Sequence, residues 1–326
     1  MLIDQSKIVA LITATLFLVF SLFLNGFLSI DNLLSLLRSV SVLGILGIGM
    51  ALVVISRGVD LSMVAIMVIG TAISVVIAQP GGVFESGVPF WLALSAGIIF
   101  VITMGAISGF LVAYGELPAI FATLAMGGIV YGIGRVGLIS SDSNYLPADA
   151  GWVEFLGRGK IFGVPIPIIC FLTIALVFTL ILRRTTLGKY IYAIGDNPVA
   201  ARSAGIPVRP TIMLIYIVSG LIALVAGLLI SGAVSQINTR LYTSTMIYDV
   251  LLVVVVGGIG LSGGKGGMIN VLLGTVMIGV LLNGMTIMNL SHTEQNLIKG
   301  LVLLVAIVID TLVNPRDEQT SQQGDI

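Results

Sequence analysis

The stretch GGIGLSGGKGG, residues 257–267, carries two nucleotide signatures. Gly258, Gly260 and Gly263 spell GxGxxG, the dinucleotide fingerprint, and Leu261 to Gly264 spell LSGG, the heart of an ATPase signature loop. If either operates, the chain holds a soluble α/β domain. The flanking sequence argues against both. A phosphate-cradling Walker loop needs GxxxxGK and then Ser or Thr. Here Ile259 stands where the first glycine belongs, and Gly266 follows Lys265. A dinucleotide fingerprint must follow a strand and precede a ribose-binding acid. Residues 268–287 contain no acid, and apolar runs lie on both sides.

Composition points to another solvent. The 326 residues are 57% hydrophobic and 9% charged, with a mean hydropathy of +1.16. Soluble chains are roughly a quarter charged. A net charge of +0 gives no electrostatic case for nucleic acid as a partner. The single cysteine, Cys170, excludes an internal disulfide and a multi-cysteine metal site. The single histidine, His292, sits in the polar turn NLSHTEQN, and neither HExxH nor GxSxG occurs. Nothing pairs a nucleophile with a base. No catalytic, cofactor or metal residues are expected, and the chain is read as no enzyme.

Ten apolar runs are long enough to read as membrane helices: 8–28, 39–56, 61–79, 89–114, 118–139, 165–183, 211–234, 244–261, 268–290 and 295–313. The first has no small-residue cleavage site and is followed by more runs, so it reads as a span. The expected fold is an all-α polytopic membrane protein of about ten helices with glycine-broken segments. Residues 1–313 form one transmembrane domain in this reading, and 314–326 a polar tail. Positive charge clusters at Arg183, Arg184, Lys189, Arg202 and Arg209, which places 184–210 in the cytoplasm. Alternation then puts Lys7, Arg57, Lys265, Arg316 and both termini there too, and 140–164 outside.

Forty glycines imply close helix contacts and broken helices. VVISRGVDLS (53–62) aligns without gaps with VVVVGGIGLS (253–262), so helix breaks are expected at Gly58 and at Gly258, Gly260, Gly263 and Gly264. A broken helix exposes backbone groups that can hold a polar solute. Asp60 stands beside Arg57 at one break, where the two are expected to pair. Asp60, Ser62, Phe121, Thr123 and Asn283 are the candidate solute path, although Ser, Thr and Asn also join helices. Arg135, Asp249, Glu294, Lys299 and Asp310 lie in or beside spans, with interfacial placement the plainer reading.

The segment 187–208, LGKYIYAIGDNPVAARSAGIPV, is too polar to span. Asp196-Asn197-Pro198 reads as a helix start, with Asp or Asn as N-cap and Pro in the first turn. Gly205 stops that helix. Its side chains, including Ala200, Ala201 and Arg202, lack the large apolar anchors of a membrane-surface helix and suit docking into another protein.

Four stretches together resemble the permeases of ribose-type ABC importers: GMALVVISRGVDLS (49–62), LPAIFATLAMGGIVYGIGR (117–135), TTLGKYIYAIGDNPVAARSAGI (185–206) and VVVVGGIGLSGGKGGMINVLLGTVMIGVLLNG (253–284). The resemblance implies a monosaccharide permease in the bacterial inner membrane working by alternating access. Its partners are a second permease subunit, identical or paralogous, two ATPase subunits that bind the ATP and Mg, and a periplasmic binding protein. It also implies that Asp196–Gly205 is the ATPase-coupling helix. The chain departs from the family at Arg57-Gly58, usually Gly-Gly, and at Met63-Val64, usually Val-Gly, which leaves the sugar open. The alternatives are a permease for an amino acid or nucleoside, and an ion-coupled secondary transporter.

Overall fold

The computed structural model describes residues 5–313; the tail expected at 314–326, with Arg316, lies outside them. The helices in chain order are α1 (Gln5–Phe23), α2 (Ile30–Ile55), α3 (Met63–Ala78), α4 (Phe90–Ala113), α5 (Ala119–Gly137), α6 (Gly151–Arg158), α7 (Ile166–Arg184), α8 (Thr186–Asp196), α9 (Pro198–Ser203), α10 (Val208–Val234), α11 (Met246–Val256), α12 (Met268–Ile287) and α13 (His292–Val313). Four minimal strands accompany them: β1 (Ser143–Tyr145), β2 (Lys160–Ile161), β3 (Val164–Pro165) and β4 (Gln236–Asn238).

Each of the ten apolar runs holds one helix, but among the described residues six are long and apolar enough to cross a membrane: α2, α4, α5, α7, α10 and α12. Lys7–Phe23 within α1, α3 and α11 are apolar and shorter. The largest departure is α11. The run 244–261 yields 11 helical residues, about 16 Å at 1.5 Å per residue, which is half of a ~30 Å hydrocarbon core. The helix stops because Gly258 takes a left-handed φ of 91°. The Gly258 and Ile259 amides then bond back to the carbonyls of Val255 and Val254, at 3.0 and 3.1 Å. This paired return is a Schellman ending.

The chain falls into two compact units. One comprises the residues up to Arg57, Cys170–Pro198 and the residues from Tyr248 on. In it α12 packs against α1 and α2, and α2 against α8. Its core gathers Phe27, Leu36, Val40 and Val280, with Phe17 and Phe20 edge-on to Phe27 at centroid distances of 5.4 and 5.8 Å. Lys299 of α13 meets Asp249 of α11 at 2.7 Å, both side chains mostly buried. These two residues, read as separate interfacial charges, neutralise each other instead. Before α13, Ser291 and Glu294 form a capping box. Glu294 accepts from the Ser291 amide at 2.7 Å, and Ser291 Oγ accepts from the Glu294 amide at 3.4 Å. His292 is thus simply the first residue of α13.

The other unit comprises Gly58–Ile169 and Val199–Ile247. Here α3 is the centre: every residue but Ile77 is buried, as suits a helix apolar on all sides. Helices α4, α5 and α10 pack against it. Gly105 and Gly109 of α4 let the α10 backbone approach so closely that a Cβ would stand 2.9 Å from Ile217 Cα and 2.7 Å from Met213 Cα. That is a GxxxG contact. The segment 138–165 is ordered here. β1 pairs antiparallel with β4 in register Asn144↔Ile237, and β2 with β3 in register Ile161↔Val164. Asp142 accepts from Arg240 at 2.7 Å and pairs with Arg135 at 3.0 Å. Arg135 therefore has a named partner just beyond α5.

Candidate functional site

The site begins where α2 stops. Ile55 is its last residue, and Arg57 follows at a left-handed φ of 67°. Left-handed backbone costs an L residue about 1–2 kcal/mol, so glycine is usual there. The chain turns through Gly58 and restarts at Met63 as α3.

Arg57 and Asp60, expected as a pair, take other partners. Asp60 is 1% exposed. Its Oδ1 accepts from the Ser62 amide at 3.0 Å and from Ser62 Oγ at 2.6 Å, and its Oδ2 from Ser219 Oγ of α10 at 3.0 Å. It holds the start of α3 and fastens it to α10. Thr123 of α5 does similar work: its Oγ1 accepts from the Leu61 amide at 3.0 Å and donates to the Ala119 carbonyl at 2.7 Å. Asp60, Ser62 and Thr123 are therefore brought together, all buried. Phe121, 71% exposed, stands apart on the outer side of α5. Asn283 belongs to the other unit, where its side chain exchanges two hydrogen bonds with Asn32, at 3.0 and 2.9 Å.

Arg57 turns toward α8, a helix that sequence reading left unassigned. Thr185 caps α8 by accepting from the Gly188 amide at 3.2 Å. Asp196, read as an N-cap of the next helix, is instead the last residue of α8, and Asn197 is its C-cap. Arg57 Nε donates to the Gly195 carbonyl at 2.6 Å and Nη2 to the Asp196 carbonyl at 2.5 Å. A cation on the last carbonyls of a helix meets the negative end of its dipole. The loop 257–267 completes this junction. The Gly264 amide donates to the Ile55 carbonyl at 2.8 Å, and Tyr192 Oη to the Gly266 carbonyl at 2.7 Å. A Cβ on Gly195 would collide with the Ile55 carbonyl. Gly258, Gly263 and Gly264 are left-handed, while Gly58 and Gly260 are not. The GxGxxG stretch follows a helix, so it fails the strand requirement of a nucleotide fingerprint.

α9 starts at Pro198 and ends in a Schellman turn. Gly205 has φ 81°, its amide donates to the Arg202 carbonyl, and that of Ile206 to the Ala201 carbonyl, both at 3.0 Å. The outward residues are Val199, Ala200, Arg202 and Ser203. Ala201, 4% exposed, faces inward and presents nothing to a partner. Near α8 an open hollow of about 280 Å³ is lined by Arg183, Tyr192 and Asn270 among others. None of the expected path residues lines it.

Apolar helices interrupted at polar-stitched breaks, with a short capped helix held at the surface, define an integral membrane protein of the transport-permease class. The chain belongs to the family described as branched-chain amino acid transport system / permease component, whose profile matches residues 32–308. It is 31% identical to the ribose import permease protein of Haemophilus influenzae over 97% of this chain and 95% of that one. It is 33% identical to the Bacillus subtilis ribose import permease protein over 90% and 89% of the two chains. Against the L-arabinose transport system permease protein of Escherichia coli the identity is 30%, over 91% and 88%. No solved structure gives a significant match.

Proposed function

We propose that this chain is the membrane subunit of an ATP-driven importer of a monosaccharide, seated in the bacterial inner membrane. The observation that carries the reading is the likeness, at 30% identity or more and over nearly the full length, to permeases named for ribose and L-arabinose. In this reading all ten apolar helices serve as membrane segments and both termini are cytoplasmic. Two permease subunits pair, and two ATPase subunits supply ATP hydrolysis. A periplasmic binding protein delivers the sugar, and α9 docks on an ATPase. Nucleotide-driven closure of the ATPases moves α9 and switches the path from outward to inward facing, with no covalent chemistry in this chain.

The family description also names amino acids, so a small polar solute other than a sugar is the second reading. Ion-coupled transport is the third. Proteoliposomes holding this chain, its ATPase and its binding protein separate them. Sugar uptake that requires ATP and the binding protein, and that survives collapse of ion gradients, supports the first. Amino-acid uptake, or uptake lost with the gradient, overturns it.

A further inference from the structure

Arg57 occupies a position whose backbone favours glycine. Its φ is 67°, in the left-handed region that L side chains avoid. An arginine stands there with its side chain engaged: Nε and Nη2 each hold one of the last two carbonyls of α8, Gly195 and Asp196. Charge-assisted hydrogen bonds to helix-terminal carbonyls are among the stronger polar contacts available to a side chain. They offset the backbone strain. The same spot is crowded from a third side. A Cβ on Gly263 would run into Arg57 Cγ, and the Gly264 amide is bonded to Ile55. The end of α2, the end of α8 and the glycine loop before α12 thus meet in one joint, closed by the Arg57 guanidinium.

The location gives the joint a consequence. All these residues belong to one unit, and the chain leaves that unit immediately after Arg57 and again immediately after Pro198. Pro198 is the first residue of α9, two positions beyond the Asp196 carbonyl that Arg57 holds. The start of α9 is joined to the end of α8 through the single residue Asn197, so a displacement of that end of α9 bears on α8. There it meets a side chain that leaves the backbone two residues beyond α2. The α8 end is also linked to the glycine loop, where Tyr192 Oη donates to the Gly266 carbonyl at 2.7 Å.

We infer that Arg57 is a positioning residue that transmits movement of α9 to α2 and the break before α3. The inference rests on the reading of α9 as the ATPase-docking helix. A side chain serving stability alone would lower the amount of folded protein; a transmitting one changes the ratio of stimulated to basal ATP hydrolysis.

The test uses the assembled transporter in proteoliposomes. Arg57→Gly relieves the left-handed backbone and removes the tie. Arg57→Gln keeps one donor group, and Arg57→Lys keeps the charge. Basal hydrolysis and hydrolysis stimulated by sugar-loaded binding protein are measured with uptake and thermal midpoint. Arg57→Gly is expected to keep its basal rate and lose stimulation and uptake by about tenfold. Arg57→Lys is expected to stay within about twofold of the original, with Arg57→Gln between. Should Arg57→Gly fail to assemble, the Gln-to-Lys difference carries the same test. Equal stimulation in all variants, or losses that follow the thermal midpoint alone, overturn the inference. Ala200→Glu on the outward side of α9 serves as the reference. If it abolishes stimulation while Arg57→Gly does not, only the role of Arg57 falls. If neither variant matters, the docking reading of α9 falls with it.

Discussion

Asn32 and Asn283 face each other amide to amide, each donating to the other's carbonyl at 3.0 and 2.9 Å across 251 positions of sequence. The pair joins α2 to α12, and Asn32 also donates to the Phe27 carbonyl at 2.8 Å. Asn283, named from sequence as part of a solute path, is thus engaged in holding helices together. Asn283→Ala should cost about 0.6–2 kcal/mol, as interhelical polar bonds do, read as a lower thermal midpoint in detergent. A double cycle with Asn32→Ala should show coupling; additive losses would contradict the pairing.

Asp60 accepts three hydrogen bonds at a buried helix start. Asparagine keeps one acceptor oxygen for Ser62 and offers an amide to Ser219. Asp60→Asn should therefore stay within about 1 kcal/mol, while Asp60→Ala strands buried donors at about 2–3 kcal/mol. Equal losses in chemical denaturation would show that these contacts do not hold the break.

The β2–β3 hairpin turns on Phe162 and Gly163, with φ of 50° and 81°. Two-residue turns with both residues left-handed favour Asn-Gly. Phe162 is fully exposed and packs on nothing. Phe162→Asn should stabilise the hairpin by about 1 kcal/mol and slow hydrogen exchange at Ile166, whose amide bonds the Gly159 carbonyl at 3.0 Å. Unchanged or faster exchange would contradict the strain assigned to Phe162.

Asp142 gives a pH dependence with a definite sign. Its hydrogen bond with Arg240, reinforced by the charges of Arg240 and Arg135, holds the carboxyl below its usual range. A depressed folded-state value means the contribution is present in full above the ordinary carboxylate range, near pH 4. It is lost as pH falls through the lowered value. The difference in thermal midpoint between the original chain and Asp142→Asn should stay constant down to about pH 5 and shrink below pH 4. A difference that grows on acidification would refute the pairing.

What the sequence revealed follows the range of each interaction. Pro198 and Gly205 bound α9 because their signals are local: a fixed φ that starts a helix and a left-handed residue that ends one. The apolar runs located a helix each, since burial needs only composition. The truncation of α11 was half legible. The glycines signal a break, but hydropathy alone carries the run through to 261. Asp196 was assigned to the wrong helix because Asp-Asn-Pro carries a local start signal, although Gly188, Ile191, Ile194 and Gly195 mark the buried face of a preceding helix. The partners Asn32–Asn283 and Asp249–Lys299 are distant in sequence, and no single chain discloses such pairs. Ser291 and Glu294 are legible as S-x-x-E before an apolar run, a pattern that overlaps the polar turn around His292. Arg57 reads from sequence as an inside charge, a neighbour of Asp60 and a departure from glycine, but the carbonyl it binds lies 138 residues away.

The central claim is that this chain passes work from partner ATPases to a sugar path through α9. Ala200 is outward-facing on that helix, so a charged side chain there alters the docking surface without entering a core. The decisive measurement is ATP hydrolysis by the assembled transporter in proteoliposomes, with and without sugar-loaded binding protein, for the original chain and Ala200→Glu. The account predicts that the original is stimulated several-fold and that Ala200→Glu, at an unchanged thermal midpoint, loses both stimulation and uptake. Full stimulation and uptake in Ala200→Glu would contradict it.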